Sequence, residues 1–194
     1  VTSLAVAPGG QMTAATNVEK RSLLRHWSIG MNPSCEHELN SRVNQEAFLP
    51  DGSGVLLACA DGHVRIWDPT SNQIRADLDC GSAVLALAVD EKGERVLAGC
   101  VNGTAKLWDL KEQRVLQTVR HSAEVRGVAF HNNDLITASA DGSVRRWHAG
   151  TGLPLGPAGC ALDLAVDLFL SALGGIDHPP LHIEHFALQP VRHG

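Results

Sequence analysis

Short apolar runs recur along the chain with polar turns between them. Val55-Leu56-Leu57-Ala58-Cys59, Val96-Leu97-Ala98-Gly99-Cys100 and Leu135-Ile136-Thr137-Ala138-Ser139 are strand-length, and each runs into Asp61-Gly62, Asn102-Gly103 or Asp141-Gly142. Asn or Asp followed by Gly tolerates the positive φ of a two-residue turn, so each run predicts a strand entering a hairpin. Upstream of each lies another apolar stretch, ending in Phe48, Val89 or Phe130 and closed by a polar turn such as Pro50-Asp51-Gly52 or Glu91-Lys92-Gly93. Downstream of the hairpin come a Trp-bearing strand and a fourth strand, Gln73 to Asp79 or Gln113 to Val119. The pattern predicts an all-β chain of four short antiparallel strands per unit.

The units repeat. Trp27, Trp67, Trp108 and Trp147 are 40, 41 and 39 residues apart. Four strands per period of about 40 residues describe one blade of a β-propeller. The first unit is worn: Val18-Glu19-Lys20-Arg21 stands where the hairpin dipeptide belongs, yet Leu23-Leu24-Arg25-His26-Trp27 still fits. The units span about 1–40, 41–79, 80–119 and 120–156, with a degenerate fifth at 157–176 and a His- and Pro-containing tail at 177–194. In the fifth, Leu164-Ala165-Val166-Asp167 repeats Leu87-Ala88-Val89-Asp90. Asp163, Asp167 and Ser171 also suit a helix ending at Gly174-Gly175, but repeat position favours strands.

Val64-Arg65-Ile66-Trp67-Asp68, Ala105-Lys106-Leu107-Trp108-Asp109 and Val144-Arg145-Arg146-Trp147-His148 resemble the Trp-Asp strand of WD40 repeats. The resemblance implies a WD40-type propeller in which His, Ser or Thr, Asp and Trp lock each blade by hydrogen bonds. The fourth unit carries a full set: His121, Ser139 (or Thr137 on the same strand face), Asp141 and Trp147. In the second and third, Cys59 and Cys100 stand in the place of Ser139, and Asn102 replaces the Asp, so weaker networks are expected there. The segment Thr151 to Pro157 resembles connecting strands of bacterial WD40 arrays, some of which trail Ser/Thr kinase domains. No Gly-rich phosphate loop, His-Arg-Asp or Asp-Phe-Gly occurs in the chain, so a regulatory or sensor propeller whose kinase lies elsewhere is the alternative reading.

Composition narrows the function. At 194 residues and 44% hydrophobic, the chain is one domain's worth. Sixteen Lys and Arg against 21 Asp and Glu give a net charge of −5, without the basic field that holds a nucleic-acid backbone. The apolar run from Ala83 to Val89 falls far short of the roughly 20 residues of a membrane helix. Five cysteines, an odd number with no Cys-x-x-Cys, argue for reduced thiols and a cytoplasmic setting rather than a disulfide framework or a zinc ribbon. The chain opens on Val1, so the true N-terminus is expected elsewhere.

Candidate chemistry is sparse. No Gly-x-Ser-x-Gly, His-Glu-x-x-His or phosphate-binding Gly-Lys appears, so no catalytic residue, metal or cofactor is expected. His178, His182 and His185 invite a metal reading that Pro179-Pro180 breaks. Asn102-Gly103-Thr104 fits a glycosylation acceptor but reads as a hairpin, and Cys59 and Cys100 read as small buried hydrophobes. Arg25, Arg65, Lys106 and Arg145 each precede a Trp by two residues and are expected to pack their stems on neighbouring strands.

The expected function is a non-catalytic protein-interaction scaffold, with other proteins as partners. From the resemblance, contacts fall on the face carrying the hairpins and the loops into each innermost strand. That places Arg42 and Asn44, Ala83 and Leu85, and Glu124 and Arg126 there; of these Arg42, Asn44, Glu124 and Arg126 are the polar or charged ones. Four blades and a doubtful fifth predict an open arc, prone to self-association or to pairing with further blades.

Overall fold

A computed structural model describes residues 3–7, 9–27, 35–156 and 159–160. They form four sheets, each of four antiparallel strands in chain order. Blade 1 contains β1 (Ser3–Val6), β2 (Met12–Val18), β3 (Arg21–Trp27) and β4 (Cys35–Leu39). Blade 2 contains β5 (Val43–Phe48), β6 (Val55–Cys59), β7 (His63–Asp68) and β8 (Gln73–Asp79). Blade 3 contains β9 (Val84–Val89), β10 (Arg95–Cys100), β11 (Thr104–Asp109) and β12 (Arg114–Arg120). Blade 4 contains β13 (Val125–His131), β14 (Asp134–Ser139), β15 (Ser143–His148) and β16 (Gly159–Cys160). The fold is an all-β partial propeller. The outer strand of blade 4 is drawn from residues the sequence pattern places in a fifth unit; the rest of that unit and the tail lie outside the described residues.

The core is not inside any sheet but between sheets. Innermost strands pack in chain order, β1 on β5, β5 on β9 and β9 on β13. Each Trp of blades 2 to 4 is buried against the blade before it. Trp67 packs with Ala15, Leu24 and Leu39, Trp108 with Leu56, Ala58 and Leu78, and Trp147 with Leu97, Leu107 and Val119. Burying such side chains contributes about 1.5–3 kcal/mol each. Gly99 lets blades 3 and 4 approach, since a Cβ there would stand 2.9 Å from both Val125 Cγ1 and Val125 O. The face of blade 1 equivalent to these Trp-bearing faces is uncovered by any described residue: Leu4 and Val6 are both 60% exposed, where Phe48, the counterpart of Val6, is 8% exposed.

Candidate interaction face and the blade-locking clusters

The hairpins place one end of every sheet. Gly62, Gly103 and Gly142 hold φ of +96°, +80° and +82°, which is why each turn carries glycine. The carboxylate or amide before each glycine accepts main-chain N–H groups and stiffens the turn. Asp61 accepts from His63, Asn102 from Thr104 and Asp141 from Ser143. Beside each hairpin the loop into the innermost strand is tied by one main-chain bond: Ala60 N to Arg42 O, Val101 N to Ala83 O and Ala140 N to Glu124 O. The hairpins and these loops therefore share one end of the sheets.

The register then shows a β-bulge at the same place in three blades. Val43 pairs Cys59 and Gln45 pairs Ala58, leaving Asn44 unpaired; Leu85 and Arg126 are left out in the same way. An extra residue bends the strand and re-aims its side chain. Three of the six loop positions expected as contacts, Asn44, Leu85 and Arg126, are these bulged residues. Asn44 turns inward and donates from Nδ2 to Val84 O at 2.7 Å, so its amide ties blade 2 to blade 3 and is spent on structure. Its neighbour Gln45 does the same, with Leu87 N donating to Oε1 at 2.8 Å. Arg42 is exposed. Arg126 is exposed too and pairs with Glu124 at 2.8 Å.

Blade 4 holds the locking cluster, with a corrected membership. The hydroxyl at its centre belongs to Thr137, the alternative position, and not to Ser139. Thr137 Oγ1 lies 2.6 Å from His121 Nε2 and accepts from Trp147 Nε1 at 2.8 Å. Ser139 instead donates to Ala123 O and accepts from Asp141 N. Ser143, which the repeat comparison missed, sits between His121 Nδ1 at 3.0 Å and Asp141 Oδ1 at 2.6 Å. Its signal was the Asp-Gly-Ser order itself, matched by Asn102-Gly103-Thr104.

The cluster runs one way. Ser143 donates its only proton to Asp141, so His121 Nδ1 is the donor to Ser143, Nε2 is the acceptor, and Thr137 donates to it. Burial, followed by the nearby Arg145 charge, keeps His121 below its ordinary value, consistent with this neutral ring. The Ser143 hydroxyl, then the Ser143 and Ser122 amides, hold Asp141 well below the usual carboxylate range.

Blades 2 and 3 place Leu39 and Cys80 in the position of His121, and Leu57 and Ala98 in that of Thr137, so no relay forms. Trp67 Nε1 donates instead to Asn72 Oδ1 at 3.2 Å, and Asn72 Nδ2 donates to Glu36 O of blade 1. Outside, Arg65 lies 2.8 Å from Asp61 and 3.4 Å from Asp77. Trp108 Nε1 finds no nitrogen or oxygen partner, and its polar neighbour is the Cys80 sulfur. Burial pushes the Cys59 thiol up to about 11, so it is no thiolate nucleophile near neutral pH. Of the recurring cations, Arg25 pairs with Glu36 and Arg145 stacks 5.9 Å over Trp147. Trp27 is half-buried, on the uncovered face of blade 1.

Among the described residues no group of three or more His, Cys, Asp or Glu could hold a metal ion. No helix among them is long and apolar enough to cross a membrane. His178, His182 and His185 lie outside them.

The family model described as nucleolar protein 10-like, N-terminal domain, a β-propeller, matches residues 30–170. No curated protein matches the chain.

Proposed function

We propose that this chain, which belongs to the family of nucleolar protein 10-like N-terminal β-propeller domains, is a non-catalytic scaffold that binds another protein on its hairpin face. The observation that carries the reading is the aligned set of bulges at Asn44, Leu85 and Arg126. They put non-equivalent side chains at equivalent places on a rigid frame, the arrangement of a surface whose core is fixed and whose contacts vary. Arg42 and the Arg126–Glu124 pair supply its polar contacts, and half-buried Leu85 the apolar one. Exposed arginines on the same face as an apolar side chain suit the lysine-depleted, arginine-rich character of protein interfaces.

The setting we propose is intracellular, with reduced thiols: Cys35, Cys59, Cys80 and Cys100 are all free. The family's name refers to a nucleolar protein, so fractionation should compare nucleolus with cytoplasm. The binding reading is tested by quantitative cross-linking capture with the wild-type chain, an Arg42→Glu/Arg126→Glu double variant, and an Arg114→Glu variant on an outer strand. A partner lost with the double variant and kept with Arg114→Glu supports the hairpin face. Equal capture by all three refutes it.

A further inference from the structure

The joints between blades are built mainly from apolar residues facing one another, and at one of them Glu46 brings in a carboxyl. Register aligns Glu46 of blade 2 with Leu4, Leu87 and Val128 of the other blades. At this place a side chain looks toward the preceding blade, and Glu46 is only 5% exposed. Its Oε2 accepts from Thr13 Oγ1 of blade 1 at 3.0 Å. Its Oε1 is buried without a hydrogen bond of normal geometry. A carboxylate offered one good donor in an apolar joint is poorly solvated, whereas a carboxylic acid fits.

Among the described residues the surroundings supply no charge to compensate. The elements packed on β5 are β1, β2, β6 and β9. Their titratable side chain is Cys59 of β6, neutral through burial. Behind Thr13, its cross-strand partner His26 lies on β3 with its ring 6.5 Å from that of Phe48. Burial lowers His26, so it is uncharged near neutrality. Arg25 of β3 points to the opposite face, toward Glu36. Burial accordingly pushes Glu46 up from 4.5 to about 7, against the opposing pull of the Thr13 hydroxyl and the Ala15 amide.

We infer that the joint between blades 1 and 2 is a proton-gated hinge, closed by the neutral Glu46 carboxyl against Thr13 and loosened when that carboxyl ionises. The joint also lies near the start of the family match, at residue 30, which leaves β1, β2 and β3 of blade 1 outside it. A proton held in the closed joint and released in the open one makes closure strongest in acid, and weaker as pH climbs from 4.5 through 7. Between pH 5 and pH 8 the opening equilibrium should rise roughly 70-fold.

The test is hydrogen exchange of amides in β2 and β3, compared with β10 and β11, at pH 5 and pH 8 after correction for intrinsic exchange. The wild-type chain should show the rise in β2 and β3 alone, and Glu46→Gln and Glu46→Leu should be flat. An unchanged rise in Glu46→Gln, or an equal rise in β10 and β11, overturns the hinge. Should neither variant fold, Thr13→Val decides: loss of the hydroxyl must move the midpoint to higher pH, and an unmoved midpoint overturns the proposal. His26→Asn should leave the midpoint in place, and abolition of the rise there would assign the effect to His26 instead.

Discussion

Thr137 Oγ1 accepts the indole N–H of Trp147 at 2.8 Å while reaching His121 Nε2 at 2.6 Å, so one hydroxyl satisfies two buried side chains from different strands and loops. Thr137→Val keeps the shape and removes the oxygen, leaving both partners without it. An unsatisfied buried polar group costs about 1–3 kcal/mol, so chemical denaturation should show a loss of at least that size. Ser139→Ala, whose hydroxyl serves the loop beside Ala123, should cost less, and Thr137→Ser should restore most of the stability. Equal losses for Thr137→Val and Ser139→Ala would contradict the corrected cluster.

Gly103 and Gly142 hold almost the same backbone conformation, φ of +80° and +82°, but not the same surroundings. A Cβ on Gly103 would stand 2.7 Å from His121 O and 3.0 Å from Ala123 O, whereas one on Gly142 meets nothing within 4 Å. Gly142→Ala should therefore cost only the left-handed backbone strain, about 1 kcal/mol. Gly103→Ala carries the same strain and a main-chain clash that must move the loop joining blades 3 and 4. Its thermal midpoint should fall well below that of Gly142→Ala.

The blades were legible in the sequence because their signals are local: a hairpin dipeptide, an apolar run on each side, and a Trp at fixed distance. Most of each unit's strands follow from those signals, and the repeat supplies the architecture. What the sequence left open was set by register. Thr137 and Ser139 lie on one strand face two residues apart, and only pairing with β13 and β15 shows which of them meets the indole. Asn44 reads as a solvent-facing amide until the bulge turns it toward Val84. Glu46 sits among the polar letters of Val43-Asn44-Gln45-Glu46, where nothing local says that its side chain is buried while its neighbours tether the next blade.

Acid should weaken blade 4, opposite in sign to the hinge at blade 1. His121 is held below its ordinary value, so the unfolded chain takes up a proton there first, and stability falls as pH drops below about 6.5. Asp141 is held low by Ser143, Ser122 and His121, so its contribution is present above about 3.8 and is lost as pH falls further toward its folded value. In a Glu46→Gln background, which removes the opposing gain of the hinge carboxyl between pH 7 and 4.5, the thermal midpoint should thus decline in two stages below pH 6.5. Asp141→Asn should lower the midpoint at neutral pH and flatten the lower stage while sparing the upper one. A midpoint that stays level between pH 6.5 and pH 3 would contradict the cluster's electrostatics.

The four tryptophans are equivalent in sequence but not in surroundings, and mutation should separate them. Trp67 is fully buried, packed on Leu24 and Leu39 of the preceding blade, with its N–H held by Asn72. Trp67→Ala opens a cavity between blades and frees Asn72, so a loss of about 3–5 kcal/mol is expected from urea unfolding. Trp27 occupies the same place in blade 1, cross-strand from the exposed Met12, on the face where Leu4 and Val6 meet solvent. Little packing by described residues is there to lose, and Trp27→Ala should cost less than half as much. Equal costs would mean that the uncovered face of blade 1 is filled in solution, and the covering chain could then be sought by cross-linking from Val6 and Met12 replaced with cysteine.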